Sequence, residues 1–179
     1  HYKFDLSVDD ISDTIKVLET VSFSHLNTKK PIVFNFKSLN KNGAGMSVSK
    51  ITFNDKIVEF SHKNDSLYVF METPTEDHYY ELTISFKGVP IDGLVIGENK
   101  FGNRTFFGDN WPNRAQNWFV CNDHLSDKAS VEFIVHAPQQ YPVGAHGALF
   151  SVQKRRKVPT YHYFSLVPIA TKVMGVGIA

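Results

Sequence analysis

Residues 106 to 124, FFGDNWPNRAQNWFVCNDH, gather five aromatic side chains, an Arg, a Pro, two Asp, four Asn, a His and the chain's single Cys within nineteen positions. The stretch offers donors, acceptors and a thiol, and each suggests a chemistry. Nucleophilic catalysis needs a Ser or Cys activated by a base that a third group holds in place. Cys121 directly follows Trp118, Phe119 and Val120, a context that suits a small buried hydrophobe better than a reactive thiol. No GxSxG elbow occurs, and GAGMS at 43 to 47 lacks the GxxxxGK[ST] spacing of a phosphate loop.

Metal binding is the second chemistry, because the chain holds eight His. It has no HExxH, and one Cys cannot build a zinc ribbon or knuckle. Asp123, His124 and Asp127 have the composition of a ligand cluster. Neighbours on an extended chain point to opposite faces, however, so a hydrogen-bonded turn is expected there and no metal ligand is assigned. His62, His78, His136 and His162 lie in or beside strand-like segments and read as ordinary strand or surface histidines. No pair of carboxylates is singled out for glycoside chemistry, since such pairs come from distant strands. No catalytic residue is therefore assigned. What remains is a polar loop of Asp109, Asn110, Asn113, Arg114 and Gln116, held between Phe106-Phe107 and Trp118-Phe119. That is a donor and acceptor array with apolar anchors on both sides, suited to recognition. Trp111 and Trp118 fit either core packing or the exposed stacking platforms of a carbohydrate- or peptide-binding sandwich.

The elements that must position this loop are strands. Tyr2, Phe4, Leu6 and Val8 alternate with Lys3, Asp5 and Ser7. Ile15, Val17, Val21 and Phe23 keep one parity around Glu19, and Ile32, Phe34 and Phe36 do the same. Further strands are expected over 48–53, 57–61, 66–71 and 80–86, the last ending at Gly88 and the turn residues Pro90, Asp92 and Gly93. Val131, Phe133 and Val135, then runs at 147–152, 161–167 and 172–178, complete the series. About a dozen short strands without sustained helical spacing predict an all-β, layered, mostly antiparallel architecture. At most one short helical turn is expected, near 112–119, capped by Asp109 or Asn110 and starting near Pro112.

At 179 residues the chain suits one domain of roughly 100 to 200 residues, and no linker, repeat or low-complexity tract divides it. No apolar run reaches the roughly 18 residues of a membrane span, so a soluble chain is expected. The net charge of +1, from 19 Lys and Arg against 18 Asp and Glu, predicts no nucleic-acid partner. The densest basic run, Lys154 to Lys157, reads as a solvated hairpin turn between strands. A single Cys excludes an internal disulfide. The sequence begins at His1, as after removal of a leader or tag, and localisation is open between cytoplasmic and exported.

The opening stretch and its continuation, FGDNWPNRAQNWFVCNDHLSDKASVEFIVHAP, resemble the signature of the amino-terminal domain of the aminopeptidase N and leukotriene hydrolase family of zinc metallopeptidases. In that family a segment close to F-x-Q-x-x-x-x-x-A-R-x-x-x-P-C-x-D-x-P, followed by Lys-Ala, leads into a strand. Phe107, Cys121, Asp123, Lys128 and the strand from Ser130 to Ala137 fall in register with it. A bacterial subgroup carrying FGDNWPNRA, then W and D-H-P-x-D-K-A, is closer still. HYKFDLSVDD, EFSHKNDSLYVF, ELTISFKGVPIDGL and VPIATKVMGVGIA keep the order of that domain, so the resemblance spans essentially the whole chain. Val120 and Leu125 stand where the family usually has Pro.

The resemblance implies an all-β, layered, saddle-like sandwich of mixed, mostly antiparallel sheets over residues 1–179, a single non-catalytic amino-terminal domain. It implies a parent that is a zinc-dependent aminopeptidase of bacterial type. The HExxH with its downstream Glu, the G-x-M-E-N motif and a catalytic Tyr would lie in the next domain, so zinc is expected there and no cofactor here. The expected partners are that catalytic domain and a peptide substrate. Many members receive the substrate's amino terminus through a Gln or Glu at the position of Trp111. Asp109 or Asn110 is expected to supply the acceptor a free amine needs, with Trp111, Asn113 and Arg114 completing the substrate-binding set. A free-standing carbohydrate- or peptide-binding module is the alternative from another class.

Overall fold

The computed structural model describes residues 1–24, 31–71, 79–154 and 158–179. Within them the alternating segments form β1 Tyr2–Ser7, β2 Ile15–Ser24, β3 Ile32–Asn35, β4 Gly45–Phe53, β5 Lys56–Ile57, β6 Glu59–Lys63, β7 Ser66–Phe70 and β8 Tyr79–Val89. The series continues with β9 Leu94–Glu98, β10 Arg104–Gly108, β11 Lys128–His136, β12 Val143–Ala145, β13 Ala148–Gln153, β14 Thr160–Ala170 and β15 Val176–Ile178. An eight-stranded sheet runs β13-β14-β11-β1-β2-β8-β4-β5, a four-stranded sheet runs β12-β15-β10-β9, and a three-stranded sheet runs β3-β7-β6. The pairing of β1 with β11 is parallel and the others are antiparallel, which makes the large sheet mixed.

Period two sends one set of side chains to each face of the large sheet. Phe4 and Leu6 from β1, Ile15 from β2, Leu82 and Ile84 from β8 and Phe133 from β11 are all fully buried. The opposite parity carries Lys3, Asp5, Lys16, Glu81, Lys87 and Glu132. The three-stranded sheet covers part of the apolar face: Phe34 meets Phe23 edge-on with centroids 5.6 Å apart, and Phe36 meets Phe86 at 4.7 Å. Such aromatic pairs add about 0.5–1.5 kcal/mol each beyond their buried area. Phe106 of β10, Val143 of β12, and Val176 and Ile178 of β15 join the same core from the four-stranded sheet.

Asn54-Asp55 and Asn64-Asp65 adopt positive φ, the two-residue hairpin geometry that matches strand twist. The segment expected as one strand over 57–61 is two, because β5 pairs with β4 in the large sheet while β6 pairs with β7 in the small one. Among the described residues two 3-10 turns occur, Ala115–Asn117 and Thr171–Val173. The second takes the start of the run expected as a strand over 172–178, whose end is β15. Its carbonyls, at Thr171 and Met174, are satisfied by the Asn110 amide rather than by a ladder partner.

β13 and β14 pair out to Gln153 and Thr160; Arg155, Arg156 and Lys157 of the basic run lie outside the described residues, as does His78. His62 stacks on Phe36 with centroids 5.0 Å apart, His136 sits 3.0 Å from Asp5, and His162 lies 2.8 Å from Glu132. No helix among the described residues is long and apolar enough to cross a membrane.

Candidate functional site

The polar loop leaves the end of β10. Asp109 N donates to Gly93 O at 2.7 Å, and Asn110 O accepts Arg114 N at 2.9 Å, closing a turn around a cis Trp111-Pro112 bond. One guanidinium ties this turn together. Arg114 Nη2 donates to Asp109 Oδ2 at 2.5 Å, Nη1 to Asp92 Oδ1 at 3.2 Å, and Nε to the Trp111 carbonyl at 2.5 Å. Partial desolvation opposes the charge on Arg114, but hydrogen bonds to the two carboxylates outweigh it and hold the group above its usual pKa. Asp92 also accepts from Gly93 N at 2.8 Å, so the turn between β8 and β9 and the loop are fastened to one another.

Asn110 is spent inside the protein. It is buried, its Oδ1 accepts from Trp118 Nε1 at 2.7 Å, and its Nδ2 donates to Thr171 O at 3.0 Å and Met174 O at 2.8 Å. With both amide hydrogens used, its side chain holds the loop against the 171–174 turn. Neither Asp109 nor Asn110 caps the helical turn as expected. Arg114 precedes Ala115–Asn117 and no side chain caps it, since both candidate caps are engaged elsewhere.

The segment after the turn is the anchor. Trp118 and Phe119 pack edge to face at 4.8 Å, and Phe119 lies 4.8 Å from Phe4. Asn35 N donates to Cys121 O at 2.7 Å and Cys121 N to Asn35 O at 3.2 Å. Asn122 N donates to the Tyr2 hydroxyl at 3.2 Å, while Asp123 accepts from Thr171 Oγ1 at 2.7 Å. Val120 N donates to Glu19 Oε2 at 2.9 Å. Glu19 is fully buried on the inner face of β2, its Oε1 has no hydrogen-bond partner among the described residues, and burial pushes the carboxyl well above its ordinary pKa. Burial first, then the nearby Asp123 and Glu19, also pushes the Cys121 thiol well up, which keeps it a neutral hydrophobe rather than a nucleophile.

The loop's outer side offers different groups. Trp111 is 58% exposed, with Lys172 Nζ 4.4 Å from its ring centroid, and Asn113 is exposed. The Asp109 side chain keeps 41% of its surface open despite its ion pair. Trp118 is 1% exposed, so of the two tryptophans only Trp111 presents a face to solvent. His124 turns to Ser126 Oγ at 2.8 Å. Among the described residues no group of three or more His, Cys, Asp or Glu is placed to hold a metal ion.

The family model described as the peptidase M1 N-terminal domain matches residues 1–169. The chain belongs to that family. The M1 zinc metallopeptidase from Deinococcus radiodurans superposes on all of this M1 N-terminal domain with a TM-score of 0.83 at 22% identity, and the match covers 41% of that enzyme. A variant of the same enzyme bound to a Tyr-Ser-Ala substrate gives 0.82 at 20%, with the same coverage. Leukotriene A4 hydrolase from Saccharomyces cerevisiae gives 0.76 at 18%, matching 99% of this chain and 28% of its own. The chain thus spans about two fifths or less of the length of these solved structures. No curated protein sequence matches it.

Two supports of the 109–114 loop in this M1 N-terminal domain were open to a sequence reading to different degrees. Glu19 shares the parity of the buried Ile15, Val17 and Val21, so its inward direction was readable. The Thr171 and Met174 carbonyls that fix Asn110 lie 61 and 64 residues away, and no local pattern marks them. Gly93 is a third support. It sits at φ +75°, and a Cβ there would lie 2.1 Å from the Arg114 carbonyl oxygen. Gly93→Ala is therefore expected to destabilise the domain by about 1–3 kcal/mol, read as a lower denaturant midpoint; an unchanged midpoint would show that the loop moves aside freely.

Proposed function

We propose that this domain flanks the active site of a zinc-dependent aminopeptidase and that its 109–114 loop walls one side of the substrate cavity, helping to receive the peptide's amino terminus. The observation that carries this reading is the division of labour in the loop. Asn110, Trp118 and Glu19 fix it from inside, while Asp109, Trp111, Asn113 and Arg114 face outward with acceptor, aromatic and donor groups in set positions. Rigidly held polar groups of this kind serve recognition at low ordering cost. Family membership supports the class of parent, and the Deinococcus radiodurans relative bound to Tyr-Ser-Ala is in keeping with a peptide ligand.

The catalytic machinery belongs to a following domain in this reading. Zinc there would polarise the scissile carbonyl and activate water. The described residues of this chain have no site fitted to it, and their part is to bind and orient. Asp109 is the natural partner for an ammonium group, because a carboxylate accepts a charge-assisted bond while its second contact, Arg114, keeps it in place. Asn110 acts one step removed, as the residue that positions Asp109 and Trp111.

In the full-length parent, Asp109→Ala should raise KM for unblocked peptides about 10- to 150-fold, the equivalent of about 1.5–3 kcal/mol for a lost charged contact, and Trp111→Ala, which removes an aromatic surface, should raise it less. Blocked peptides should lose much less. Unchanged kinetics in both variants would remove the loop from substrate recognition. A reading frame without a peptidase domain after Ala179 would instead favour a free-standing binding module.

A further inference from the structure

The outer face of the large sheet carries positive charges that nothing beside them cancels. Register sets Ser7, Lys16, Lys87 and Ser47 in one row across β1, β2, β8 and β4, so two lysines stand directly opposite each other on neighbouring strands. Like charges in that position destabilise a sheet. The next row holds Asp5, Leu18, Ser85 and Lys50, which puts a third lysine diagonal to Lys87, within reach of a long side chain. All three lysines are exposed, and none has an ion pair among the described residues. The carboxylates of this face are engaged elsewhere: Asp5 lies 3.0 Å from His136, Glu132 lies 3.4 Å from Lys3, and Glu81 accepts from the Ser22 hydroxyl. The backbone is also shaped here. β4 is bulged between Val48 and Lys50, so Ser49 and Lys50 both turn outward, and Ser49 Oγ donates to Ser85 O at 3.0 Å. Bulges of this kind re-aim side chains beside sites. A depression of about 410 Å³ lies between these groups, with Asp5, Ser7, Lys16, Ser49, Ser85 and Lys87 in its lining. The Ser7 and Ser85 hydroxyls make no hydrogen bond among the described residues.

We propose that this depression binds a tetrahedral dianion of the phosphate class, either free or as the terminal group of a phosphate monoester. Lys16, Lys87 and Lys50 supply the charge, and the Ser7 and Ser85 hydroxyls add donors. Lysine suits such a ligand, because its ammonium is a compact charge with three donors that rotate to meet an oxygen. A dianion relieves the repulsion between the opposed lysines more fully than a single carboxylate, and its four oxygens give each donor an acceptor. Asp5 does not oppose the ligand strongly. Its bond to His136 holds that imidazole above its usual pKa, and the pairing comes from β11, on the other side of β1 from the lysines. No residue of the 109–114 loop lines the depression, so the site neither needs nor alters the peptidase reading.

The test is calorimetric titration of the full-length parent with inorganic phosphate at fixed ionic strength, which keeps general screening constant. Saturable binding is expected. Lys16→Gln combined with Lys87→Gln should weaken it at least ~10-fold, as expected for two lost charge-assisted contacts at an open site. Both lysines are exposed, so the double variant keeps the fold. Lys16→Arg retains the charge and should retain most of the binding, and Lys63→Gln, at the hairpin of the three-stranded sheet, should leave it unchanged. Phosphate held elsewhere in the parent is common to all these proteins and cancels in the comparison. Vesicles of phosphatidylcholine doped with phosphatidic acid, a monoester, or with phosphatidylglycerol, a diester, separate the two sources of the ligand. Binding of inorganic phosphate that the double variant loses supports the site with a free ligand. Preference for phosphatidic acid that the double variant loses, without binding of inorganic phosphate, supports it with the monoester displayed on a lipid. Phosphate binding unchanged in the double variant, or no binding of phosphate and no such preference, would overturn the proposal. An equal loss in Lys63→Gln would reduce the effect to overall charge and overturn it as well.

Discussion

Trp118→Ala should destabilise the domain by about 3–5 kcal/mol, the range for removing a large buried aromatic side chain. Trp118 is almost wholly buried, contacts Phe4 and Phe119, and donates its Nε1 hydrogen to Asn110. Removing the indole opens a cavity and leaves the buried Asn110 Oδ1 without its donor. The second effect reaches the loop, because Asn110 is also the clamp on Thr171 and Met174. Trp118→Phe separates the two contributions. It refills most of the space but cannot donate, and should cost about 1–3 kcal/mol, the range for a buried acceptor left unsatisfied. Denaturant unfolding measures both. A loss below 1 kcal/mol for Trp118→Ala would mean that the loop is not anchored through this ring.

The second large effect is a dependence of stability on pH. Glu19 is fully buried and its pKa is raised well above 4.5 by burial, a cost that the hydrogen bond from Val120 N only partly offsets. Below about 4.5 the carboxyl is protonated in folded and unfolded chains alike, and its full contribution is present. As pH rises past that value the unfolded chain gives up a proton that the folded chain retains. Stability then falls by up to about 1.4 kcal/mol per pH unit until the folded pKa is passed. Glu19→Gln keeps an acceptor for Val120 N and cannot ionise. The gap in unfolding free energy between Glu19→Gln and the unaltered chain should therefore widen in favour of the variant as pH rises from 5 upward. His136, raised by its bond to Asp5, and His62, lowered by burial, also titrate in this range. Both are present in each protein and cancel in the difference. Parallel curves across the range would show that Glu19 does not carry the buried proton.

The strands that alternate cleanly, β1, β2, β7, β8 and β11, were legible because one face of each meets the core and the other does not. β9, β10 and β12 were not legible, and the cause is particular. Val95 and Phe107 point outward where polar residues would be expected, and glycines at 97 and 144 erase the alternation. The features that hid these strands are the ones that make the sheet's outer face distinctive. At the site, composition alone marked 109–114 as a polar array between apolar anchors; the buried Phe106, Trp118 and Phe119 match the anchor expectation, whereas Phe107 is 62% exposed and does not. The separation of Asn110 from its neighbours was hidden. Asp109, Asn110 and Asn113 are alike by residue type, and only the fold shows that one of the three lies inside, bonded to carbonyls more than sixty residues away.

The parallel pairing of β1 with β11 carries a consequence for how the chain is made. β1, the earliest made of the described strands, lies inside the large sheet, and one of its two neighbours, β11, begins only at Lys128. β2 can cover one side of β1 early, but the other side stays an open edge of unpaired amides and carbonyls until β11 has been made. A sheet closed by so distant a partner folds slowly relative to its local hairpins. Pairing of the large sheet thus finishes at β1, the earliest made of the described strands, and the interval between synthesis of β1 and of β11 is the period in which the domain is most exposed to mispairing.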